Sequence, residues 1–439
     1  MKKTVIAAAI VFAAMSYSGY AQNEYFDSPD AVEHRDTAGI AATEREMETA
    51  FREDSLSAKH AIDSLLLEYY GKNRLFEFSS LNDLDTSSVR YTSMVPDSVF
   101  VRRLADIQSF VPLAFNDVVK NYIILYSEKM PEKMGRVIGL GNYYFPVFQE
   151  TFNRYGLPEE LRAMAVIESM LKYDATSRVG AKGMWQFMYQ TAKKYGLTIN
   201  SFVDERLDPV KAVDAAARYL KDSYAIFGDW QLAIASYNCG PGNVNKAIKR
   251  SGKTDIWEIY NYLPRETRGY VPAFAGALYA LNYYKEYGIK PEEVNLPTQV
   301  DTFCIHKMLH FKQISELCGV PLETLKVLNP QYVHDIIPGS ETTPWTLRLP
   351  ANYTGEFIAV EDCVHLHKAD TLLNPVTIKK IKDGGDGQFI VHKVRSGDTL
   401  GGLAKRYGCT VKHIQNVNHL KGTTIRIGQT LRIQRGGKK

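Results

Sequence analysis

The sequence predicts a mainly α-helical protein that carries small β-α-α-β modules at its C-terminal end. Two observations carry this. Between residues 97 and 285 apolar side chains recur at three- and four-residue spacing, the period of one helix face, as in Leu161, Met164, Ala165 and Glu168. Past Pro291 and Pro297 the pattern changes to short stretches that order as strand, helix, helix, strand, most clearly between residues 389 and 434.

In chain order, Asp97 or Ser98 can cap a helix that opens at Val99. Pro112 and Pro131 punctuate the next stretch, and Val118, Val119, Tyr122, Ile123 and Tyr126 keep helical spacing. A further helix opens at Pro158, Glu159 and Glu160, because proline at an early position and acids in the first turn suit a helix N-terminus. Those two acids are read as partners of the helix dipole rather than catalysts. After Lys172 the pattern breaks into a loop marked by Asp174, Ser177, Gly180 and Gly183, where Gly183-Met184-Trp185-Gln186-Phe187 gathers an indole and an amide. Residues 204–209 read as a capping turn for a helix from Val210 to Phe227 with a small-residue stripe at Ala212, Ala215 and Ala216. The next helix, Trp230 to Tyr237, stops at Asn238-Cys239-Gly240-Pro241. Residues 263–270 open the last helix of this domain, and Glu266 there is read as structural, paired with a nearby Arg.

The domain boundaries expected are 99–290 for the helical domain, with a core of about 156–285, then 298–350 for a first module, 351–388 for a linker with some strand character, and 389–434 for a second module. Residues 1–21 have the form of a secretory leader, with Lys2-Lys3, a short apolar run from Thr4 to Met15 and a small-x-small site at Gly19-Tyr20-Ala21. Residues 22–98 read as a flexible polar arm with one amphipathic helix near residues 61–67. The chain is therefore expected to be exported to the periplasm or cell envelope. No Cys lies near Ala21, the first being Cys239, so a lipid anchor is not expected, and peripheral envelope association stays open.

Glu168 is the residue on which function turns. A carboxylic acid set on an apolar helix face has a raised pKa and holds a proton near neutral pH. The alternative is a solvated pair with Lys172 one turn on. The helix alone does not decide between them.

Four ordered motifs decide it: Ile167-Glu168-Ser169, Gly183-Met184-Trp185-Gln186, Ala235-Ser236-Tyr237-Asn238-Cys239-Gly240 and Glu266-Thr267-Arg268-Gly269-Tyr270-Val271-Pro272. Together they resemble the soluble lytic transglycosylase family, over roughly residues 99–434 once the C-terminal modules are included. The resemblance implies a lysozyme-like helical domain that cleaves the β-1,4 bond between N-acetylmuramic acid and N-acetylglucosamine in peptidoglycan. The reaction would leave 1,6-anhydromuramyl ends. Glu168 would be the catalytic acid and base, with Ser169, Gln186, Tyr237, Asn238 and Tyr270 placing the sugars. The C-terminal modules resemble LysM domains. In the second, binding of N-acetylglucosamine-containing chains is implied beside Gly397, Asp398 and Thr399 and beside Asn418, His419 and Leu420. The first lacks the Gly-Asp-Thr turn and reads as either a degenerate binder or a spacer. A goose-type hydrolase that admits water, and a non-catalytic wall-binding scaffold, are the alternatives.

Composition narrows the rest. A net charge of +4 over 439 residues gives no reason to expect a nucleic acid partner. Tyrosine, at 27 residues, serves sugar faces as well as cores. The five cysteines are scattered without a CxxC pair, Cys304 and Cys318 being the one pairing within a module. Arg206 interrupts the acids at Asp204, Glu205 and Asp208, and no EF-hand pattern is present, so neither metal nor cofactor is expected.

Overall fold

The computed structural model describes residues 90–177, 180–383, 389–407, 409–418, 420 and 422–434. The leader at 1–21, the arm up to residue 89, the Gly384–Gly387 stretch and His419 lie outside the described residues.

Helix ends fall where free N–H groups find a partner or proline removes the need for one. α1 is Asp97–Asp106. α2, Asp117–Ile124, is capped by Asn116, whose side-chain oxygen accepts from the N–H groups of Val118 and Val119, and it runs on into a π turn at Leu125–Lys129. α3, Pro131–Tyr155, opens on proline and closes at Gly156 with φ 68°. A 3-10 turn at Glu159–Arg162 leads into α4, Ala163–Ser169. α5 is Tyr189–Lys194, α6 is Pro209–Phe227 with Asp208 as its cap, and α7 is Trp230–Cys239 with Asp229 as its cap. α8 is Pro241–Ser251, α9 is Arg265–Arg268 and α10 is Tyr270–Tyr283.

α10 is the central element. Every residue from Tyr270 to Ala280 is buried, as expected of a helix that is apolar all round. It lies so close to α2 that a Cβ on Gly276 would meet the backbone carbon of Tyr122 at 2.8 Å. Around it one continuous core takes in Phe148, Phe152, Leu161, Met164 and Trp185. The last residues of the expected arm are ordered against this domain. Tyr91 packs on the core, and its N–H donates to Asn121.

The first module begins with β1, Val300–Ile305, and β2, Met308–His310. α11, Phe311–Cys318, and α12, Leu322–Leu328, come next. β3, Ile336–Pro338, pairs with β2, and β4, Trp345–Pro350, pairs antiparallel with β1, setting Val300 opposite Pro350. The expected linker at 351–388 is corrected here: its described part is helical, not strand-like. α13 is Thr354–Val360, α14 is Ala369–Leu372 and α15 is Pro375–Asp383. Phe357 and Val364 are buried in the core of the first module, so that unit extends past Pro350. The second module consists of β5, Phe389–Lys393, α16, Leu400–Tyr407, α17, Val411–Val417, and β6, Thr430–Gln434, with β5 and β6 antiparallel around its own core. All five cysteines are free, with Cys304 exposed and Cys318 buried. No helix of the described residues is long and apolar enough to cross a membrane.

The first module is docked on the helical domain. Phe202 and Val203, which precede α6, are buried in the module's core. The Asp204 N–H donates to the Gln331 carbonyl at 2.8 Å and the Val333 N–H to the Phe202 carbonyl at 3.0 Å. Arg348 on β4 grips Asp208 through both terminal nitrogens, at 3.0–3.2 Å, and the Asp208 side chain is 3% exposed. A carboxylate so enclosed depends on its partner. Arg348→Met is therefore expected to destabilise the protein by about 3–5 kcal/mol. Asp208→Asn in the same chain, which keeps a capping oxygen, is expected to recover much of that loss. Urea unfolding of Arg348→Met, of Asp208→Asn and of the two combined checks this, and additive losses would contradict the pairing.

Candidate active site

Glu168 stands at the C-terminal end of α4, one residue before the helix stops. The chain leaves the helix through two left-handed residues, Met170 at φ 53° and Leu171 at φ 62°. Neither is a glycine, and both are buried. Such conformations cost about 1–3 kcal/mol each and persist only where packing enforces them. The helix thus ends at Ser169 rather than beyond Lys172, as the periodicity indicated, and the turn presents Glu168 toward the N-terminus of α10.

There the Tyr270 hydroxyl donates to Glu168 Oε1 at 2.5 Å. Tyr270 itself is wholly buried. Burial of the Glu168 carboxyl pushes its pKa from the ordinary 4.5 up to about 7, against the opposing effect of the tyrosine hydrogen bond. Among the described residues no cation and no second carboxylate contributes to this shift. Lys172 lies 3.7 Å from Asp174, so the solvated Glu168–Lys172 pair is not what forms. Burial and the nearby Glu168 charge raise the hydroxyls of Tyr270 and Tyr237 well above their ordinary range, so both remain neutral donors.

The loop from Gly180 to Phe187 lines the next side. Lys182 and Phe187 exchange backbone hydrogen bonds at 3.0–3.1 Å. Gly183, at φ 82°, lies against the Arg206 carbonyl so closely that a Cβ would sit 1.7 Å from that oxygen. Gln186 is held at φ 47°. Its amide nitrogen donates to Gly183 and Ala175 carbonyls at 2.8 and 3.3 Å, and its amide oxygen has no partner among the described residues. The Tyr237 hydroxyl donates to the Trp185 carbonyl at 2.8 Å, and its ring meets Phe187 and Tyr219 edge-on. Asn238 accepts from the buried Thr267 hydroxyl at 2.8 Å through Oδ1, which orients its NH2 group.

Of the six residues expected around the reaction, Tyr270 bonds Glu168 directly, Ser169 and Tyr237 bond the Met184 and Trp185 carbonyls, Gln186 lies in that same loop, and Asn238 follows Tyr237. Ser169 is 4% exposed, and its hydroxyl donates to the Met184 and Ala165 carbonyls at 2.8 and 3.2 Å. It ties the loop to α4 and has no hydrogen left for a sugar. Gln186 likewise gives its nitrogen to the loop and retains only its oxygen. Glu266 is exposed on α9 and makes no ion pair among the described residues, so the expected Arg partner is absent. The charged pair beside the loop is Asp204 with Arg206, in a stretch that reads from sequence as a capping turn. Arg206 standing among acids is the signal that points to it. Thr267 lies inside one of the four motifs, and only the fold shows its bond to Asn238.

In the second module, Gly397 has φ 86° and supports a turn. Asp398 accepts from the Arg395 N–H at 2.8 Å and lies 2.7 Å from His392 Nε2. The backbone bond first and His392 next hold its carboxyl below the ordinary range. Thr399 caps α16 by accepting from the Gly402 N–H at 3.1 Å. Asn418 donates to the Ile414 carbonyl at 2.8 Å, and Leu420 packs on the module core. The side chains of Asp398 and Thr399 thus build the turn beside which glycan binding is expected.

Comparison with known proteins gives the same division. Residues 146–260 match the family model described as Transglycosylase SLT domain. Residues 299–365 match that of the lytic transglycosylase MltD, LysM-like domain, and residues 392–434 that of the LysM domain. The chain is 30% identical over 302 residues to membrane-bound lytic murein transglycosylase D of Escherichia coli K12, an alignment covering 64% of this chain and 61% of that protein. It is 32% identical over 165 residues to peptidoglycan transglycosylase gp16 of Escherichia phage T7, covering 36% of this chain and 12% of that one. The solved structure of the 70 kDa soluble lytic transglycosylase SLT70 from Escherichia coli aligns with 33% of this chain and 25% of its own at 30% identity and a TM-score of 0.27. The chain thus combines an SLT-type helical domain with two LysM-type modules, and it spans about three fifths of the length of the transglycosylase D relative.

Burial of Glu168 has a consequence for stability. The folded state binds the Glu168 proton more tightly than the unfolded chain does. Stability from this residue is therefore complete below about pH 4.5 and is lost as pH rises through about 7, a change of about 3 kcal/mol. Glu168→Gln keeps an acceptor for Tyr270 and removes the titration. Its melting temperature is expected to match the parent at pH 4 and to exceed it by several degrees at pH 8. Calorimetry at the two pH values checks this, and an equal offset at both would contradict the burial.

Proposed function

We propose that this chain is a peptidoglycan lytic transglycosylase in which Glu168 is the sole acid and base. The observation that carries the reading is the half-buried Glu168 carboxyl bonded by Tyr270, whose proton is held up to about pH 7 by burial and, among the described residues, by no second carboxylate. Ordinary glycosidases divide acid and base between two carboxylates. With one, the same group must give a proton and take one back.

Protonated Glu168 gives its proton to the glycosidic oxygen linking C1 of N-acetylmuramic acid to the next N-acetylglucosamine, and that C–O bond breaks. The acetamido oxygen of the muramyl sugar relieves the positive charge at C1. Glu168, now a carboxylate steadied by the Tyr270 hydroxyl, takes the proton of the muramyl C6 hydroxyl as its oxygen closes on C1. The product is a 1,6-anhydro sugar, and no water is consumed. A well-oriented internal hydroxyl has an effective concentration on the order of 10⁵ M or more, which favours it over water in a site of this kind. The Asn238 NH2 and the Gln186 amide oxygen are the groups placed to hold the sugars, with Tyr237 beside them. The LysM-type modules and the two transglycosylase relatives named for murein and peptidoglycan support this choice of polymer. Work on that polymer lies outside the cytoplasmic membrane, in agreement with the leader-like form of residues 1–21.

Digestion of purified sacculi with the full chain is expected to release muropeptides ending in 1,6-anhydromuramic acid, one water lighter by mass spectrometry than hydrolytic products. Reducing muramic acid ends alone would make the protein a goose-type hydrolase. Binding without release would make it a scaffold. Because chemistry starts from protonated Glu168, turnover is expected to fall as pH rises through about 7. Glu168→Gln is expected to lower turnover by about 100-fold or more.

The second module has its own core and adds attachment rather than chemistry. Removing residues 389–439 is expected to weaken retention on intact sacculi while leaving cleavage of short soluble glycans nearly unchanged, since tethering raises only local concentration. Pull-down and turnover on the two substrates check this, and equal loss on both would contradict it.

A further inference from the structure

We propose that the first LysM-type module, docked on residues 202–204, is a working part of the catalytic centre, and that Asp204 and Arg206 are the positioning residues through which it holds the active-site loop. The proposal rests on the reading of Glu168 as the catalytic acid.

Phe202 and Val203 belong to the helical domain by sequence and to the module by packing, being 6% and 0% exposed within its core. Two backbone bonds join this stretch to the module: the Asp204 N–H itself donates to Gln331, and the Phe202 carbonyl accepts from Val333. The Asp204 carboxylate takes Arg206 Nε on one oxygen at 2.8 Å, and Arg206 Nη2 and Lys182 Nζ on the other at 2.7 and 3.3 Å. Both residues are 4% exposed. Burial works against the carboxylate, but the Arg206 and Lys182 contacts outweigh it and hold the Asp204 pKa below the ordinary range.

Arg206 then reaches the loop. Its Nη1 donates to the carbonyls of Gly180 and Phe187, at 3.2 and 3.4 Å. These are the two ends of the segment that carries Trp185 and Gln186. Its own carbonyl lies under Gly183, where there is no room for a Cβ. Inside the loop, the Met184 and Trp185 carbonyls accept from Ser169 and Tyr237, which sit beside Glu168. The line from module to acid is continuous, through hydrogen bonds of 2.7–3.4 Å that are buried or partly buried. A planar guanidinium satisfied on all three nitrogens transmits position well, because its fork has one geometry. If the module leaves residues 202–204, Asp204 loses its fixed backbone. The buried Arg206 charge then needs another partner, and the loop loses the clamp on both its ends.

A glycan-binding spacer and a brace differ in what they change. A spacer acts on substrate affinity; a brace acts on turnover and on the loop itself. The test uses the full chain with Phe202→Asp, which sets a charge in the module's core and touches nothing near Glu168. It also uses Arg206→Met and Arg206→Lys. Without substrate, hydrogen exchange of the Lys182, Gly183 and Gln186 amides is expected to quicken about tenfold or more in Phe202→Asp and Arg206→Met. The Phe274 to Leu278 amides in α10 should be unchanged. On soluble glycans of a few disaccharides, kcat is expected to fall on the order of 10–100-fold with KM changed by less than about threefold. Arg206→Lys should recover part of kcat, since it keeps the charge beside Asp204. Phe202→Asp combined with Arg206→Met should lose no more than Arg206→Met alone, because both act on one anchor. Unchanged loop exchange, a loss confined to KM, or multiplied losses in the double variant would overturn the proposal. Should Phe202→Asp unfold the helical domain, the Arg206 pair decides: parental kcat and loop exchange in Arg206→Met would overturn it. A parent chain inactive on any glycan would refute the transglycosylase reading instead, and the exchange results would still report on the brace.

Discussion

The enclosure of one carboxyl sets the terms for the rest of this structure. Glu168 is half-buried; the burial of its carboxyl holds its proton near neutrality, and a carboxylate formed there during turnover would be only partly solvated. The Tyr270 hydroxyl, 2.5 Å from Oε1, supplies the missing donor. A hydroxyl can take this part because it stays neutral: burial and the neighbouring Glu168 push Tyr270 far above its ordinary range. The pair is balanced between two needs, an acid that keeps its proton and a base that tolerates its charge. Tyr270 can stand there only because α10 is buried along its length from that residue onward. The central helix of the domain and the chemical centre are one construction.

Where periodicity and punctuation govern, the sequence is readable. The helices expected from Val210 to Phe227 and from Trp230 to Tyr237 form as Pro209–Phe227 and Trp230–Cys239, where Asp208, Asp229 and Gly240 are residue types that satisfy helix ends. Glu168 is legible as an acid on an apolar face, and the four motifs name its neighbours. What one strand of sequence does not display is direction. Motif membership assigns Ser169 and Gln186 to sugar, yet the Ser169 hydroxyl and the Gln186 amide nitrogen point back into the protein. Asp398 and Thr399 are expected beside glycan on the same ground, and their side chains also build a turn. Small polar residues in a motif serve two masters, ligand and backbone, and only the fold shows which claims the hydrogen bond. Helices α13 to α15 escape a sequence reading because short helices in polar sequence carry little periodic signal; Phe357 declares itself only by what it packs against.

The two LysM-type modules show how one architecture serves two physical ends. The second is closed on its own core. The first shares its core with Phe202 and Val203 and is locked by Arg348 on Asp208. That carboxylate also caps α6, so one buried charge ends a helix and fastens a module. A single group with two structural duties is hard to replace by a conservative change.

Strain is distributed around the same centre. Three non-glycine residues in the left-handed region, Met170, Leu171 and Gln186, lie within twenty residues of one another and flank the acid and its loop. Left alone, each would relax toward a commoner conformation, at a gain of about 1–3 kcal/mol. Met170 and Leu171 are held by burial in the main core. Gln186 is only half-buried, and its conformation depends on the hydrogen bonds of the loop, whose ends are the carbonyls that Arg206 grips. A strained, half-exposed residue needs an external clamp where a strained, buried one does not. The difference in burial between Leu171 and Gln186 gives a physical reason for the proposal that the loop opposite α4 draws on the first module, while Met170 and Leu171 are held by the core of the helical domain.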